Sequence, residues 1–305
     1  MKVAMIGAGR VGSTTLFQLL REGFVEEMVV VDVDKPRAEG EALDLRHGLA
    51  LARHAVIRAT DFDGIAGADL VIITAGIPRK PGETRLDLLK KNVELMRDVL
   101  EHVRRYAPAS MVLMVSNPVD VLTYQAIRTL GFPVDRVFGL GTVLDTTRFR
   151  SLLGERLGVA PSQVYAYMLG EHGDSMVPVL SGANVAGVPL AAFPGYSAEM
   201  VAEVVEATRF GGAEVIKRKG GTFYSVAPAI VEVVRAIAFD LKEVLPISSL
   251  MDGQLGLERV ALSLPCVIGK HGRERVLVPP LSAEEVEGLR NSARILQEAA
   301  ASVGL

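Results

Sequence analysis

The first twelve residues constrain this chain most. Val3-Ala4-Met5-Ile6 is an apolar, strand-like run, and Gly7-Ala8-Gly9-Arg10-Val11-Gly12 follows it directly, opening a helical pattern near 11–22. Glycines at this junction permit a tight turn, close approach of main chain to a pyrophosphate and close helix–sheet contact. The helix N-terminus then offers unpaired N–H groups to phosphate oxygens. A GxGxxG alone is weak evidence, but this one sits between strand and helix, and Asp32 ends the next strand-like run twenty residues after Gly12. A carboxylate there can accept both ribose hydroxyls of adenosine and repel a 2′-phosphate. The pattern points to NAD rather than NADP, with Lys35 and Arg37 weakening the preference. Asp34 reads as a solvated turn residue.

The pattern continues as an alternation. Strand-like runs at 3–6, 28–31, 55–58, 70–73 and 111–115 alternate with helical patterns near 11–22, 36–52, 86–106 and 119–130. Several of the runs are almost continuously apolar, as in a parallel sheet covered on both faces. The expected fold is therefore α/β, with a Rossmann, doubly wound parallel sheet over residues 1–140. After Gly139 the character changes to a mixed α+β substrate or catalytic domain, 141–305. A helix is expected over Asp145–Leu157, strands around 163–169 and 177–188, and helices near 197–218 and 225–240. Hairpin-like strands follow over 257–278, and Ser282-Ala283-Glu284-Glu285 reads as a capping box opening a last helix.

At 305 residues the chain is long enough for two such units. Its formal net charge of −3 provides no footprint for nucleic acid or an anionic membrane. A single cysteine, Cys266, excludes an internal disulfide and cysteine-rich metal sites, so no metal is expected. Apolar runs such as Leu70-Val71-Ile72-Ile73 are too short to span a bilayer, and the N-terminus enters a strand without a signal-like segment. These features suggest a cytoplasmic protein acting on a small molecule.

A nicotinamide site needs a proton donor near the carbon that exchanges hydride. Of the five histidines, His102 and His271 lie in a charged helical segment and a turn, and His47 and His54 lie near a helix end, so all four read as surface residues. His172 differs. It follows an apolar strand within Leu169-Gly170-Glu171-His172-Gly173-Asp174-Ser175, where glycines let a ligand approach. Asp145 is the candidate carboxylate to orient it. Asp145 and Arg148 stand three apart at a helix start, where one could orient His172 and the other bind a substrate carboxylate. From spacing alone, a surface ion pair is the better reading. The loop Ile77-Pro78-Arg79-Lys80-Pro81-Gly82-Glu83-Thr84-Arg85 adds two arginines suited to a carboxylate or a carbonyl oxygen.

Together these residues resemble the L-lactate/L-malate dehydrogenase family along nearly the whole chain. The matching pieces are the GxGxxG with Asp32, Thr74-Ala75-Gly76, Ser116-Asn117-Pro118-Val119-Asp120, Leu144-Asp145-Thr146-Thr147-Arg148-Phe149 and Gly170-Glu171-His172-Gly173-Asp174. The resemblance implies that His172 is the general acid and base, paired with Asp145. It implies that Arg148 holds the C1 carboxylate of a 2-oxo acid and that Arg85 polarises the C2 carbonyl when the loop closes. Asn117 would position substrate or nicotinamide, and Thr222 would line the substrate pocket. Gly7, Gly9, Arg10, Val11, Gly12, Asp32, Thr74, Ala75, Gly76, Asn92, Val115 and Asn117 would surround NAD. The family forms dimers and tetramers, so a homodimer or homotetramer is expected.

At the position that discriminates substrates in this family, lactate enzymes carry glutamine and malate enzymes arginine. This chain has Arg79. An enclosed guanidinium without a partner anion is disfavoured, so Arg79 implies a dicarboxylate, and a malate dehydrogenase is expected ahead of an L-lactate dehydrogenase. Thr222 and the segments Gly82–Leu88 and Gly141–Thr146 look more like lactate enzymes. Ser175–Pro178 and Asp252–Gly256 look more like the malate branch. Arg150 matches one member of a basic pair that binds a sugar bisphosphate activator, but Tyr165 replaces the other, which argues against such activation. An NAD-dependent glycosidase would need a metal-binding Cys/His set, and an NAD sensor would not need His172, Asp145, Arg85 and Arg148 together.

Overall fold

The computed structural model describes residues 1–78 and 84–305, with Arg85 described by its backbone alone. The first half alternates as its apolar runs require: β1 (Lys2–Ile6), α1 (Arg10–Glu22), β2 (Glu27–Val31), α2 (Lys35–His47), β3 (Val56–Ala59), β4 (Leu70–Ile73), α3 (Arg85–Tyr106), β5 (Met111–Met114), α4 (Val119–Leu130) and β6 (Val137–Gly139). The second half runs α5 (Val143–Leu157), β7 (Val164–Leu169), β8 (Val177–Val185), β9 (Val188–Pro189), α6 (Ala198–Lys219), α7 (Val226–Ala238), β10 (Glu243–Asp252), β11 (Glu258–Gly269), β12 (Gly272–Val276) and α8 (Ala283–Ala301).

The strands β3-β2-β1-β4-β5-β6 pair in that order and all in parallel. Chain order reverses between β1 and β4, and loops leaving their C-terminal ends diverge there, opening the crevice in which such sheets bind ligands. Successive side chains point to opposite faces. Ala4, Ile6, Val71 and Ile73 pack on one face with Met96 and Leu100 of α3 and Leu122 of α4. Val3, Met5, Leu70 and Ile72 pack on the other with Leu16 and Leu19 of α1 and Ile230 of α7. Every residue of β4 and β5 is buried, the two-sided burial expected of continuous apolar runs.

The sheet does not stop at β6. Strand β10 pairs antiparallel with it at Ser248 and Gly139, and β11 and β12 follow, giving nine strands in one mixed sheet. Strands β11 and β12 occupy the expected hairpin at 257–278, whereas β6 and β10 lie where the sequence pattern shows no strand. The three residues of β6 are too few to show a period. In β10, Pro246, Ser248 and Ser249 interrupt the apolar pattern, yet both serines are buried between neighbouring strands. Pro246 lacks an N–H, but its carbonyl still accepts the Thr142 N–H at 3.2 Å.

A separate antiparallel sheet, β7-β8-β9, packs with α5 and α6 around Phe149, Leu153, Met168 and Val204. The capping box at Ser282 is present, with Ser282 and Glu285 each accepting the other's backbone N–H. Among the described residues, no helix is long and apolar enough to cross a membrane.

Candidate active site

The glycine loop joins β1 to α1 by close main-chain contact. Gly7 has φ of +111°, and a Cβ there would lie 2.6 Å from the Ala75 nitrogen. Thr74 secures the same point, its hydroxyl donating to the Gly7 carbonyl at 3.0 Å. A Cβ on Gly12 would meet that carbonyl oxygen at 2.0 Å. Gly9 is different: nothing lies within 4 Å of its missing Cβ, and it caps α1 without a side-chain hydrogen bond. Open space before an uncapped helix N-terminus fits a pyrophosphate.

Asp32 stands at the end of β2, where its carboxylate accepts the N–H groups of Ala8 at 2.6 Å and Asp34 at 2.9 Å. It lines a recess with Lys35, Glu39, Thr60 and Asp61. Lys35 pairs with Asp61 at 2.7 Å, so its charge is already answered. Asp34 caps α2 by accepting the Arg37 N–H at 3.1 Å. An acidic recess of this kind suits a ribose better than a 2′-phosphate. Arg10 reaches the C-terminal end of α6, donating to the Lys219 carbonyl at 3.4 Å. Asn92 is buried, and its amide makes both hydrogen bonds to the Ile77 main chain, at 2.8 and 3.2 Å. Its part is to hold the stem of the loop that follows Gly76.

A cavity of about 330 Å³ opens from the glycine loop toward the second half of the chain. Val11, Val115 and Asn117 line it from the first half, and Asp145, Arg148, His172 and Thr222 from the second. All seven are site residues expected from the sequence. Arg79 lies outside the described residues, as does the side chain of Arg85.

Within the cavity wall a single carboxylate joins two cations. Asp145, 1 % exposed, meets His172 Nδ1 through Oδ2 at 2.5 Å and Arg148 Nη1 through Oδ1 at 3.2 Å. Asp145 and Arg148 are thus an i,i+3 pair, but one turned inward on α5. Thr146 sets the alignment: its hydroxyl donates to the Met168 carbonyl at 3.2 Å and accepts the Met168 N–H at 3.0 Å, locking α5 to β7. After β7, Gly170 turns with φ of +86° against Ser292 of α8 and delivers His172 to Asp145. Burial disfavours the imidazolium, but the charge and hydrogen bond of Asp145, with the charge of Asp120, outweigh it and raise the His172 pKa to about 9. Burial also opposes the Asp145 carboxylate, and His172 and Arg148 override it, holding Asp145 below its ordinary range.

Three participants were not singled out from sequence. Asp120 accepts the His172 backbone N–H at 2.7 Å. Ser292 donates to the Ser175 carbonyl at 2.7 Å, on the far side of the same loop. Gly211, within α6, makes room for Arg148, whose Cδ would lie 2.7 Å from a Cβ there. Two left a signal: Asp120 closes the motif Ser116-Asn117-Pro118-Val119-Asp120, and Gly211 is a glycine inside a long helix, which costs about 1 kcal/mol and calls for a reason.

Residues 1–139 match the NAD-binding domain of lactate/malate dehydrogenase, and residues 142–303 match the alpha/beta C-terminal domain of the same family. The chain belongs to the lactate/malate dehydrogenase family. It is 46 % identical to an L-lactate dehydrogenase of Moorella thermoacetica, over 100 % of this chain and 98 % of the relative. It is 41 % identical to one from a Synechococcus species, over 99 % of each. A crystal structure of a lactate dehydrogenase from a Medee basin deep-sea metagenome library superposes with a TM-score of 0.96 at 37 % identity, covering 100 % of this chain and 99 % of that one. This lactate/malate dehydrogenase family member is an NAD-dependent 2-hydroxy acid oxidoreductase, with the Rossmann and C-terminal α/β parts of the family.

These relatives overturn the expectation of a malate dehydrogenase acting on malate and oxaloacetate. That expectation rested chiefly on Arg79, which lies outside the described residues, with Ser175–Pro178 and Asp252–Gly256 in support. The similarity that opposes it extends over the full chain, to proteins named L-lactate dehydrogenase.

Proposed function

We propose that this protein is an L-lactate dehydrogenase, interconverting pyruvate and L-lactate with NADH and NAD+. The observation that carries the chemistry is the Asp145 carboxylate joining His172 and Arg148 in one cavity wall. The choice of pyruvate rests on the full-length similarity to L-lactate dehydrogenases.

NADH, when bound along the glycine loop with its ribose at Asp32, supplies the hydride that the pyruvate C2 accepts. Arg148 holds the substrate carboxylate through charge-assisted hydrogen bonds. His172, its Nδ1 engaged by Asp145, has Nε2 left to serve the substrate oxygen. Because its pKa is raised to about 9, it begins reduction as imidazolium and gives the Nε2 proton to the C2 oxygen as that oxygen gains charge. In lactate oxidation neutral His172 takes the hydroxyl proton back. Asn117 and Thr222, lining the cavity, orient the substrate, and Val11 and Val115 help exclude water; Arg85, whose side chain lies outside the described residues, would polarise the carbonyl. Residues 1–140 serve the cofactor and 141–305 carry the proton chemistry, although one sheet runs through both.

Steady-state kinetics with NADH test the reading. The expected result is a higher kcat/KM for pyruvate than for oxaloacetate. The reverse order would overturn it.

A further inference from the structure

We propose that Asp120, in the first turn of α4, is a positioning residue for His172, holding its main chain and lending a second negative charge to its imidazolium. This rests on the assignment of His172 as proton donor. Asp120 is 2 % exposed, and its Oδ2 accepts the His172 backbone N–H at 2.7 Å from 52 residues away. Its Oδ1 and the hydroxyl of Ser248 on β10 are both buried, and among the described residues neither makes a hydrogen bond of good geometry, yet the two are close enough for Ser248 to favour the carboxylate.

An asparagine carbonyl could accept that one N–H without burying a charge. A buried carboxylate, helped at Oδ1 only by the Ser248 hydroxyl, carries a desolvation cost that a purely structural cap would not require. The charge does have a counterpart. His172 faces Asp145 and Arg148 from α5 and Asp120 from α4, while the charge of Glu171, on its own loop, opposes that of Asp120. Burial raises the Asp120 pKa to about 6, with the Ser248 hydroxyl first and then the His172 N–H and charge pulling it back, so at neutral pH and above Asp120 is ionised. The two carboxylates divide the work: Asp145 fixes the ring, Asp120 fixes the backbone, and both favour the protonated histidine.

Histidine-selective NMR titration of the full-length protein tests this, with His172 assigned by comparison with His172→Ala. In Asp120→Asn the His172 midpoint should fall by at least about half a unit. The alkaline limb of kcat/KM for pyruvate reduction should move with it, a loss of about threefold in relative rate above the limb. Ser292→Ala is the control. It disturbs the same loop without removing a charge, so its midpoint should stay put. An unmoved midpoint in Asp120→Asn, or an equal shift in Ser292→Ala, overturns the proposal. A moved midpoint with an unmoved rate limb supports the hold of Asp120 on His172 and counts instead against His172 as proton donor. In the wild-type protein His172 should also register a second, smaller step at acid pH as Asp120 protonates. If Asp120→Asn does not fold, that step decides alone, and its absence over the whole acid range in which the protein stays folded overturns the proposal.

Discussion

The glycine loop over residues 7–12 and the charged cluster around Asp145 are built by opposite means. The loop works through missing side chains, with main chain approaching main chain so closely that a Cβ at Gly12 would sit 2.0 Å from the Gly7 oxygen. Its parts adjoin in sequence. The cluster works through buried charges, and its parts come from α4, α5 and the turn after β7, up to 52 residues apart. A site made of backbone tolerates a change of charge but not of bulk. A site made of paired charges is the reverse: removing one partner leaves the other buried and unanswered, at about 3–5 kcal/mol.

The largest expected effect therefore lies in the cluster. His172→Ala should lower turnover by about 10²–10⁴-fold, while NADH affinity, measured by fluorescence titration, stays within about twofold because the glycine loop is untouched. Retained turnover would show that the proton comes from elsewhere. The wild-type pH profile carries the same information. Reduction needs imidazolium, so its rate should fall as pH rises through about 9, whereas oxidation needs the neutral ring and should rise there. Stability follows the same sign. The folded pKa of His172 lies above its ordinary 6.5, so its ion pair contributes fully below pH 6.5 and is lost as pH rises through about 9. Asp145, held low, contributes above its ordinary range and is lost as pH falls through its depressed value. Thermal melts of wild type and Asp145→Asn should differ most between about pH 4 and pH 6.5, and the difference should narrow above about pH 9 to the share contributed by Arg148.

The contrast also explains what could be read in advance. The glycine loop, Asp32 and the strand–helix alternation are local patterns, and the structure has β1, α1 and β2 where the apolar runs place them. The histidine and its neighbouring aspartate were recognised because each lies in a distinctive short segment, but spacing alone favoured a surface ion pair for Asp145 and Arg148. Their burial depends on the Thr146 hydroxyl meeting Met168, a contact with no periodic signature. Asp120 lies in a legible motif, but its contact with the His172 backbone, like that of Ser292 with Ser175, is tertiary and has no sequence pattern. Strand β10 was missed for a related reason: its serines are buried by neighbouring strands rather than by their own hydrophobicity. The substrate choice failed differently, because one loop residue was weighted above the rest of the chain.

Within the loop, two glycines separate binding from folding. Gly9→Ala adds a methyl group to open space and keeps an ordinary extended conformation, so the melting temperature should change by less than about 2 °C. The added methyl intrudes where the pyrophosphate would sit, and NADH affinity should fall by about tenfold or more, roughly 1.4 kcal/mol. Gly12→Ala meets the Gly7 carbonyl and should lose several degrees of melting temperature as well as affinity. Equal melting temperatures in the two variants would show that the Gly7–Gly12 contact relaxes without cost and that the loop is less bulk-limited than its geometry implies.

The smallest effect is expected where the two kinds of construction meet. Gly211 is a missing side chain that serves a charge: it lies within α6, and a Cβ there would approach Arg148 Cδ at 2.7 Å and Nε at 3.0 Å. Alanine is the better helix former by about 0.5–1 kcal/mol, so Gly211→Ala should not lower the melting temperature. The flexible arginine will yield to the new methyl group, moving its guanidinium off the substrate carboxylate while leaving the His172–Asp145 contact in place. The expected outcome is a rise in KM for pyruvate of roughly threefold to tenfold, about 0.7–1.4 kcal/mol, with kcat reduced less. A variant at least as stable as wild type with weaker pyruvate binding would place Gly211 with the charges it accommodates. An unchanged KM would show that Arg148 has room to spare and that bulk matters only in the glycine loop.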